Sequence, residues 1–402
     1  MSEHKMEYVP EAEIRARIGN FQNALSSKDL DGAFVLQNVD LYYLTGTLQR
    51  STLFVPREGP PLLMVMKSAP RARRESPLAE VIPIANRDEV WTVLQDYGHG
   101  GFRKIGLELD VLPAQQYLWF RKKLGEALLT DISHDIRRQR MIKSPYEVEQ
   151  IRRAAVILDK GLREIRSFIR EGMTELEVDG YLAYIARREG HMGYLRMRGW
   201  NQEMTHAHVL SGETGAMVSF CDTPAGGSGN TPAMAQGGCF KRIRKDEPIC
   251  IDYGVAVNGY VGDQTRTFVI GDLPDDLARA LSCSKAILEQ FEADARPGAS
   301  CGGLFEAAEQ LARETGFHDN FMGYGEGKVK FLGHGIGLEI DELPVVTPWS
   351  KKNLEPGMVV AVEPKFIFPG QGIVGMEDDF LVTESGLERI TLTDQELLRV
   401  PT

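Results

Sequence analysis

Two aspartates, Asp252 and Asp263, lie in the stretch IDYGVAVNGYVGDQTRTF from Ile251 to Phe268, on either side of an Asn258-Gly259 dipeptide. Asn-Gly between two apolar runs is a strong signal for a two-residue hairpin turn. That turn pairs Val257 with Tyr260, Gly254 with Asp263 and Asp252 with Thr265. Side chains alternate faces along a strand, so Asp252, Gly254, Asp263 and Thr265 share one face, with Asp252 diagonal to Asp263. Two carboxylates then aim at one point, with a hydroxyl beside them. Left alone they repel, and one stays protonated; one or two divalent cations resolve the repulsion.

Three further residues have types that complete such a site. His334 sits in Gly333-His334-Gly335-Ile336-Gly337, where glycines allow close backbone approach. Glu363 ends the run MVVAVEP, and Glu377 opens the run GMEDDF. Two Asp, one His and two Glu suit a pair of intermediate cations such as Mn²⁺, Co²⁺, Fe²⁺ or Zn²⁺. Each residue alone is a weak signal: a single His in a Gly-rich turn is more often structural, and Glu-Asp-Asp before a strand is more often a solvated edge. The hairpin spacing is what makes the aspartate pair specific.

The elements that must position these residues are legible as two groups. Short apolar runs at 31–37, 51–57, 61–67 and 104–110, with a helical stretch at 113–128 between or after them, read as an α/β domain. At Ser144-Pro145-Tyr146-Glu147 a capping box with proline at the first helical position opens a long amphipathic helix, the start of a second domain. Arg137, Arg138, Arg140 and Lys143 just before it read as a solvated connection. A second capping box, Thr174 to Glu177, starts another helix; 274–296 and 303–315 are two more. Strand-like runs cover 249–257, 260–270, 358–363 and 379–383, which makes the second domain α+β. The Gly/Pro-rich stretch 221–238 is a loop, either plain surface or a lid or wall over a site.

Composition bounds the function classes. The chain has 402 residues, more than one core usually serves, so two domains are expected. With 46 Lys+Arg against 57 Asp+Glu the net charge is −11, which argues against nucleic acid or anionic membrane as a partner. No run approaches the roughly 18 apolar residues of a spanning helix. The first thirty residues are charged throughout and lack the apolar core of a signal peptide, so a cytoplasmic location is expected. The five cysteines, Cys221, Cys239, Cys250, Cys283 and Cys301, have no CxxC spacing and read as free thiols in a reducing compartment.

The order Asp, Asp, His, Glu, Glu resembles the pita-bread metallohydrolase family that includes methionine aminopeptidase, aminopeptidase P, prolidase and creatinase. The stretches that carry the resemblance are IDYG, NGYVGDQTRTF, GHGIGLEIDE, VEP and MEDDFLVTE, with IKSPYEVEQIRRA at the helix entry and NVDLYYLTG in the amino-terminal half. It implies an α+β, pita-bread (creatinase/aminopeptidase-like) catalytic domain over 141–402. A smaller α/β domain of creatinase amino-terminal, ribonuclease H-like type would precede it over 1–140. It further implies that Asp252, Asp263, His334, Glu363 and Glu377 are ligands of two divalent metal ions, Mn²⁺ or Co²⁺ ahead of Zn²⁺ or Fe²⁺. Creatinase itself lacks the full set, so five intact ligands favour a metal enzyme. The activity implied is that of an Xaa-Pro aminopeptidase or dipeptidase, cleaving a short peptide next to proline through a metal-bridging hydroxide, with Glu363 also the general base. Family members with this two-domain layout are commonly homodimers, and a homodimer is expected here.

Three departures from the family pattern bear on substrate. Asp341 stands where the family's peptidases carry a second histidine, Val218-Ser219 where they carry Pro-His, and Gly375 where prolidase and aminopeptidase P carry an arginine. His206 and His208, in MTHAHVLSG, are two positions apart on an expected strand, share a face there, and could supply imidazole from a shifted place; the alternative is that they are ordinary strand residues. Arg196 and Arg198 could grip an anionic substrate, although a surface salt bridge is the commoner role. These departures motivate a second function, a hydrolase or lyase on the same scaffold acting on a small amine or zwitterion. A third, a catalytically silent binding protein, sits poorly with five intact ligands.

Overall fold

Between Gln139 and Arg140 the chain separates into two units in the computed structural model, which describes residues 6–401. In the first unit the apolar runs form a mixed six-stranded sheet of β1 (Gly32–Val35), β2 (Ser51–Pro56), β3 (Leu62–Val65), β4 (Glu80–Pro83), β5 (Lys104–Leu107) and β6 (Leu128–Asp131), in the order β4-β3-β2-β1-β5-β6. Strands β1 to β3 are buried along their whole length, which is why their sequences read as continuous apolar runs. The edge strands β4 and β6 are only partly covered, and their sequences EVIP and LLTD carry too weak a pattern to be read as strands. Helices α1 (Glu11–Ser27), α2 (Asn38–Thr45), α3 (Ala69–Glu75), α4 (Glu89–Asp96) and α5 (Ala114–Leu124) complete this unit, around Phe34, Phe54 and Phe120.

The basic stretch before Ser144 is a solvated connection only in part: Arg138 is exposed and Arg137 half-buried, but Arg140 and Lys143 are not solvated. Arg137, Arg138 and Arg140 lie on helix α6 (Ser133–Met141). Arg140 and Lys143 are buried. The Arg140 guanidinium reaches Glu339 at 2.8 Å and Glu342 at 2.5 Å, and Lys143 reaches Glu342 at 3.2 Å. Charge clustering alone does not distinguish a solvated face from a buried ion-pair network when the partners are 200 residues away in sequence.

In the second unit both capping boxes are formed: Ser144 accepts from the Glu147 amide at the start of α7 (Pro145–Phe168), and Thr174 accepts from the Glu177 amide at the start of α8 (Glu175–Glu189). These helices pack on a four-stranded sheet, β17-β9-β8-β7, of β7 (Ala207–Ser211), β8 (Ile249–Val257), β9 (Tyr260–Val269) and, from the far end of the chain, β17 (Leu398–Arg399). Gly161 on α7 permits the close approach, because a Cβ there would meet the Tyr253 ring at 2.8 Å. A second core forms around α9 (Asp275–Asp294) and α10 (Cys301–Glu314). It covers a five-stranded sheet, β11-β10-β12-β15-β16, made of β10 (Gly333–Gly335), β11 (Glu342–Val346), β12 (Val359–Val362), β15 (Asp378–Val382) and β16 (Leu387–Arg389), together with the hairpin β13 (Lys365–Phe368)–β14 (Gly372–Gly375). Among the described residues no helix is long and apolar enough to cross a membrane.

Candidate metal centre

The β8–β9 hairpin has the register the turn dictates: Val257 pairs with Tyr260, Gly254 with Asp263 and Asp252 with Thr265. Asn258 and Gly259 both take positive φ, 50° and 91°, as a type I′ turn requires. Tyr253, one residue on from Asp252, turns to α7, so the opposite face of the hairpin is left to Asp252, Asp263 and Thr265. The second core brings the rest. His334 comes from β10, Glu363 follows β12 and Glu377 precedes β15, three segments adjacent in one sheet.

The two halves are stitched where they meet. The Glu377 amide donates to the Thr265 carbonyl at 3.1 Å, and the Thr265 hydroxyl donates to Glu377 Oε2 at 2.7 Å. The Asp263 amide donates to Asp379 Oδ2 at 2.9 Å. Behind them the fully buried Arg266 donates to Asp378 Oδ1 and to the Glu377 carbonyl, each at 2.8 Å. That network fixes the peptide that carries Glu377, because a buried charge holds its place only when its donors are satisfied.

The result is two groups of facing ligand atoms. Asp263, His334 and Glu377 offer atoms within 4.8 Å of one another, and so do Asp252, Glu363 and Glu377. Glu377 belongs to both. Burial, reinforced by Glu363 and Asp252 and offset in part by Lys365, pushes the Glu377 carboxyl up to about 7. Burial and the neighbouring Glu377, Asp252 and Asp379 likewise push the Asp263 carboxyl well above the usual carboxylate range. Asp263 Oδ1 is buried with no hydrogen-bond partner. A carboxylate so placed requires a proton or a cation, and an N,O donor set of this kind fits a divalent first-row metal ion.

All five residues line one cavity of about 400 Å³. Its walls are apolar and aromatic, with Met197, Trp200, Phe220, Phe331 and Ile340 among them. Cys221, Asp222, Thr223 and Gln236 also line it, so the Gly/Pro-rich stretch is a wall of the site and not plain surface.

Sequence reasoning missed Lys365. Its side chain is fully buried, and Nζ lies 2.8 Å from Asp252 Oδ2, 2.6 Å from Glu363 Oε2 and 3.2 Å from Glu377 Oε2. Burial opposes the charge of Lys365, but the three carboxylates overcome it and keep the ammonium strongly favoured. In return the ammonium, against the effect of burial, holds the Asp252 carboxyl below its usual value. The signal was present: a lysine two residues after a proposed ligand, inside the apolar run VVAVEPKFIF.

Residues 149–384 match metallopeptidase family M24, and residues 17–142 match the creatinase/prolidase amino-terminal domain. The chain belongs to metallopeptidase family M24. Among its relatives, an Xaa-Pro dipeptidase of Pyrococcus furiosus is 28% identical over 96% of this chain and 100% of its own length. An uncharacterized peptidase of Staphylococcus saprophyticus is 30% identical over 91% of this chain and 96% of its own. Among solved structures, an Xaa-Pro dipeptidase from Bacillus anthracis, 25% identical, superposes with a TM-score of 0.81 over 96% of this chain and 99% of that one. The fold is thus the pita-bread catalytic fold with a creatinase-type amino-terminal domain.

The departures from the family pattern resolve differently. Asp341 lines the cavity, whereas Val218 and Ser219 do not. The two histidines do not act as the shared-face pair read from the sequence. His206 lies just before β7, and its Nε2 stands 3.1 Å from Asp179 Oδ1 of α8, with the Tyr253 ring edge-on beside it. His208 pairs with Asp252 across β7–β8, but its ring is fully enclosed and its Nδ1–H donates to the Ala225 carbonyl at 2.8 Å. Burial pushes the His208 imidazole down. Neither histidine lines the cavity. Arg198 is buried 4.0 Å from Glu339, Arg196 donates to the Tyr194 hydroxyl, and neither lines the cavity.

Proposed function

We propose that this chain is a dinuclear metal-dependent Xaa-Pro dipeptidase or aminopeptidase, with Asp252, Asp263, His334, Glu363 and Glu377 as the metal ligands. The observation that carries the reading is the convergence of four carboxylates and one imidazole, from two separately packed halves, on one apolar-walled cavity. Its support from relatives is that Xaa-Pro dipeptidases of Pyrococcus furiosus and Pyrococcus horikoshii match over 96% and 93% of this chain. Divalent ions, Mn²⁺ or Co²⁺ by the hardness of the set, supply Lewis-acid polarisation of the scissile carbonyl and an acidified water.

The chain's own residues do the rest. Glu363, which lines the cavity in the group with Asp252 and Glu377 and lies 3.6 Å from His334 Nε2 of the other, takes up the proton as general base and returns it to the leaving nitrogen. Phe331, with Phe220 and Trp200 at the exposed rim, gives the cavity an apolar wall that suits a ring such as proline's. Asp341 is positioned to hold the substrate's free amino group. His208 acts as a positioning residue beneath Asp252, and no catalytic role is assigned to His206. The free state of all five cysteines supports a cytoplasmic location, and the resemblance to two-domain family members, commonly homodimers, is the ground for a homodimer.

One observation favours a second substrate class. Among the described residues no arginine or lysine lines the cavity, Lys365 being enclosed behind the ligand carboxylates, whereas Glu203, Asp222 and Asp341 do. A dipeptide's free carboxylate finds no cationic partner there, so a substrate with a cationic amine and no nearby carboxylate fits better. The test is a panel of Xaa-Pro dipeptides, Xaa-Pro tripeptides and small amines under Mn²⁺. Release of the residue before proline, abolished by chelation and by Asp263→Ala, is the expected result. Turnover of amines alone by fully metal-loaded protein would transfer the assignment to the hydrolase or lyase reading.

A further inference from the structure

The three carboxylate oxygens that face Lys365 Nζ belong to Asp252, Glu363 and Glu377, which is the whole of one of the two ligand groups. An ammonium has three N–H donors, and here each has one carboxylate acceptor. The other group, Asp263, His334 and Glu377, makes no ion pair with Lys365 except through the shared Glu377. One half of the centre is therefore furnished with a tethered cation of its own, and the other is not.

The fold has made room for this lysine. Lys365 pairs with Gly375 across the β13–β14 hairpin, and a Cβ at Gly375 would meet Lys365 Cγ at 2.7 Å and the Pro364 carbonyl at 2.9 Å. Position 375 is the one at which the resemblance places an arginine; its glycine leaves the space that the Lys365 stem fills. The hairpin is also held rigidly. Ser284 Oγ donates to the Pro364 carbonyl at 2.6 Å and accepts from the Met376 amide at 3.0 Å. Thr267 Oγ1 donates to the Gly375 carbonyl at 2.9 Å and accepts from the Gly375 amide at 3.0 Å. These contacts fix the backbone around Lys365 on both strands, so its side chain is the part left to move.

We propose that Lys365 is a tethered competitor for one of the two metal positions, so that the centre loads asymmetrically: the Asp263/His334/Glu377 position fills first, and a second ion enters only by displacing the Lys365 ammonium from Asp252, Glu363 and Glu377. The inference rests on the metal-centre reading given above. Lys365 raises the metal concentration at which the second ion enters above that of the same centre without the lysine.

The test is calorimetric titration of the metal-free full chain with Mn²⁺, wild type against Lys365→Met, together with an anomalous-scattering map of wild-type crystals soaked at one equivalent. The expected result is a tight first ion and a second ion that Lys365→Met tightens by at least about ten-fold, since a like charge within contact distance has been removed. The map is expected to show one peak, at the Asp263/His334/Glu377 position, with Lys365 still on its three carboxylates. Wild-type protein that fills both positions equally at one equivalent overturns the proposal while leaving the metal reading intact, and it does so even where the variant fails to fold. A second affinity unchanged by Lys365→Met in folded variant protein also overturns it. Protein that takes up no metal at all overturns both readings.

Discussion

Thr265 shows how narrowly each ligand is held. Its hydroxyl donates to Glu377 Oε2 at 2.7 Å, and Glu377 is the one residue common to both ligand groups. Outer partners of this kind orient a ligand and set its basicity, and their loss typically lowers metal affinity or activity by roughly 10–100-fold. Thr265→Val, which keeps the shape and removes the donor, is expected to fall in that range when Mn²⁺ affinity is measured by titration; unchanged affinity would remove Thr265 from the metal centre. The five proposed ligands were legible residue by residue because carboxylates and an imidazole inside apolar strands are chemically conspicuous. Lys365 was not, because a lysine after Glu-Pro has an ordinary solvated interpretation until its three partners, up to 113 residues away, are placed around it.

At the scale of elements, the β8–β9 hairpin is the most fully determined part of the molecule. Asn258-Gly259 sets the turn type, the turn sets the register, and the register sets which face carries Asp252 and Asp263. Gly259 has φ of 91°, where a Cβ is strained, so Gly259→Ala is expected to destabilise the chain by about 1 kcal/mol in denaturant unfolding. A larger loss of metal affinity than of stability would mean that the register itself had slipped. The capping boxes at Ser144 and Thr174 were readable for the same reason, since their partners lie within four residues. The edge strands β4 and β6 were not, because half-covered four-residue strands need no strong pattern.

On the scale of the whole second unit, Glu342 offers a test by pH. Burial alone would raise its carboxyl; the Arg140 guanidinium and Lys143 ammonium overcome that and hold it at about 2. The ordinary value in the unfolded chain is 4.5, so the folded value is depressed. Such a group contributes its full stabilisation above the unfolded value and loses it as pH falls through the folded one. The contribution is on the order of 3 kcal/mol from the depression itself. The unfolding free energy of wild type is therefore expected to exceed that of Glu342→Gln most at about pH 6, with the difference shrinking below about pH 4.5. A difference independent of pH would show that the pairing is not electrostatic. Removing one member of a buried network also strands the others, so the variant's loss at neutral pH is expected to reach about 3–5 kcal/mol.

The sequence by itself determined the local geometry of this protein and the residue types gathered there: the five residues proposed as ligands, the hairpin that aims two of them, the helix starts and the α+β character of the second unit. All of these depend on neighbours within a turn or a strand pair, where covalent connection fixes the geometry. What only the tertiary structure decided are the relations between segments distant along the chain. Arg140 became a buried partner of Glu339 and Glu342, and His206 turned to Asp179 on α8. Lys365 came to fill one half of the proposed metal centre. Each is a charge whose environment is set by long-range packing, and charge alone does not reveal whether water or three carboxylates will surround it.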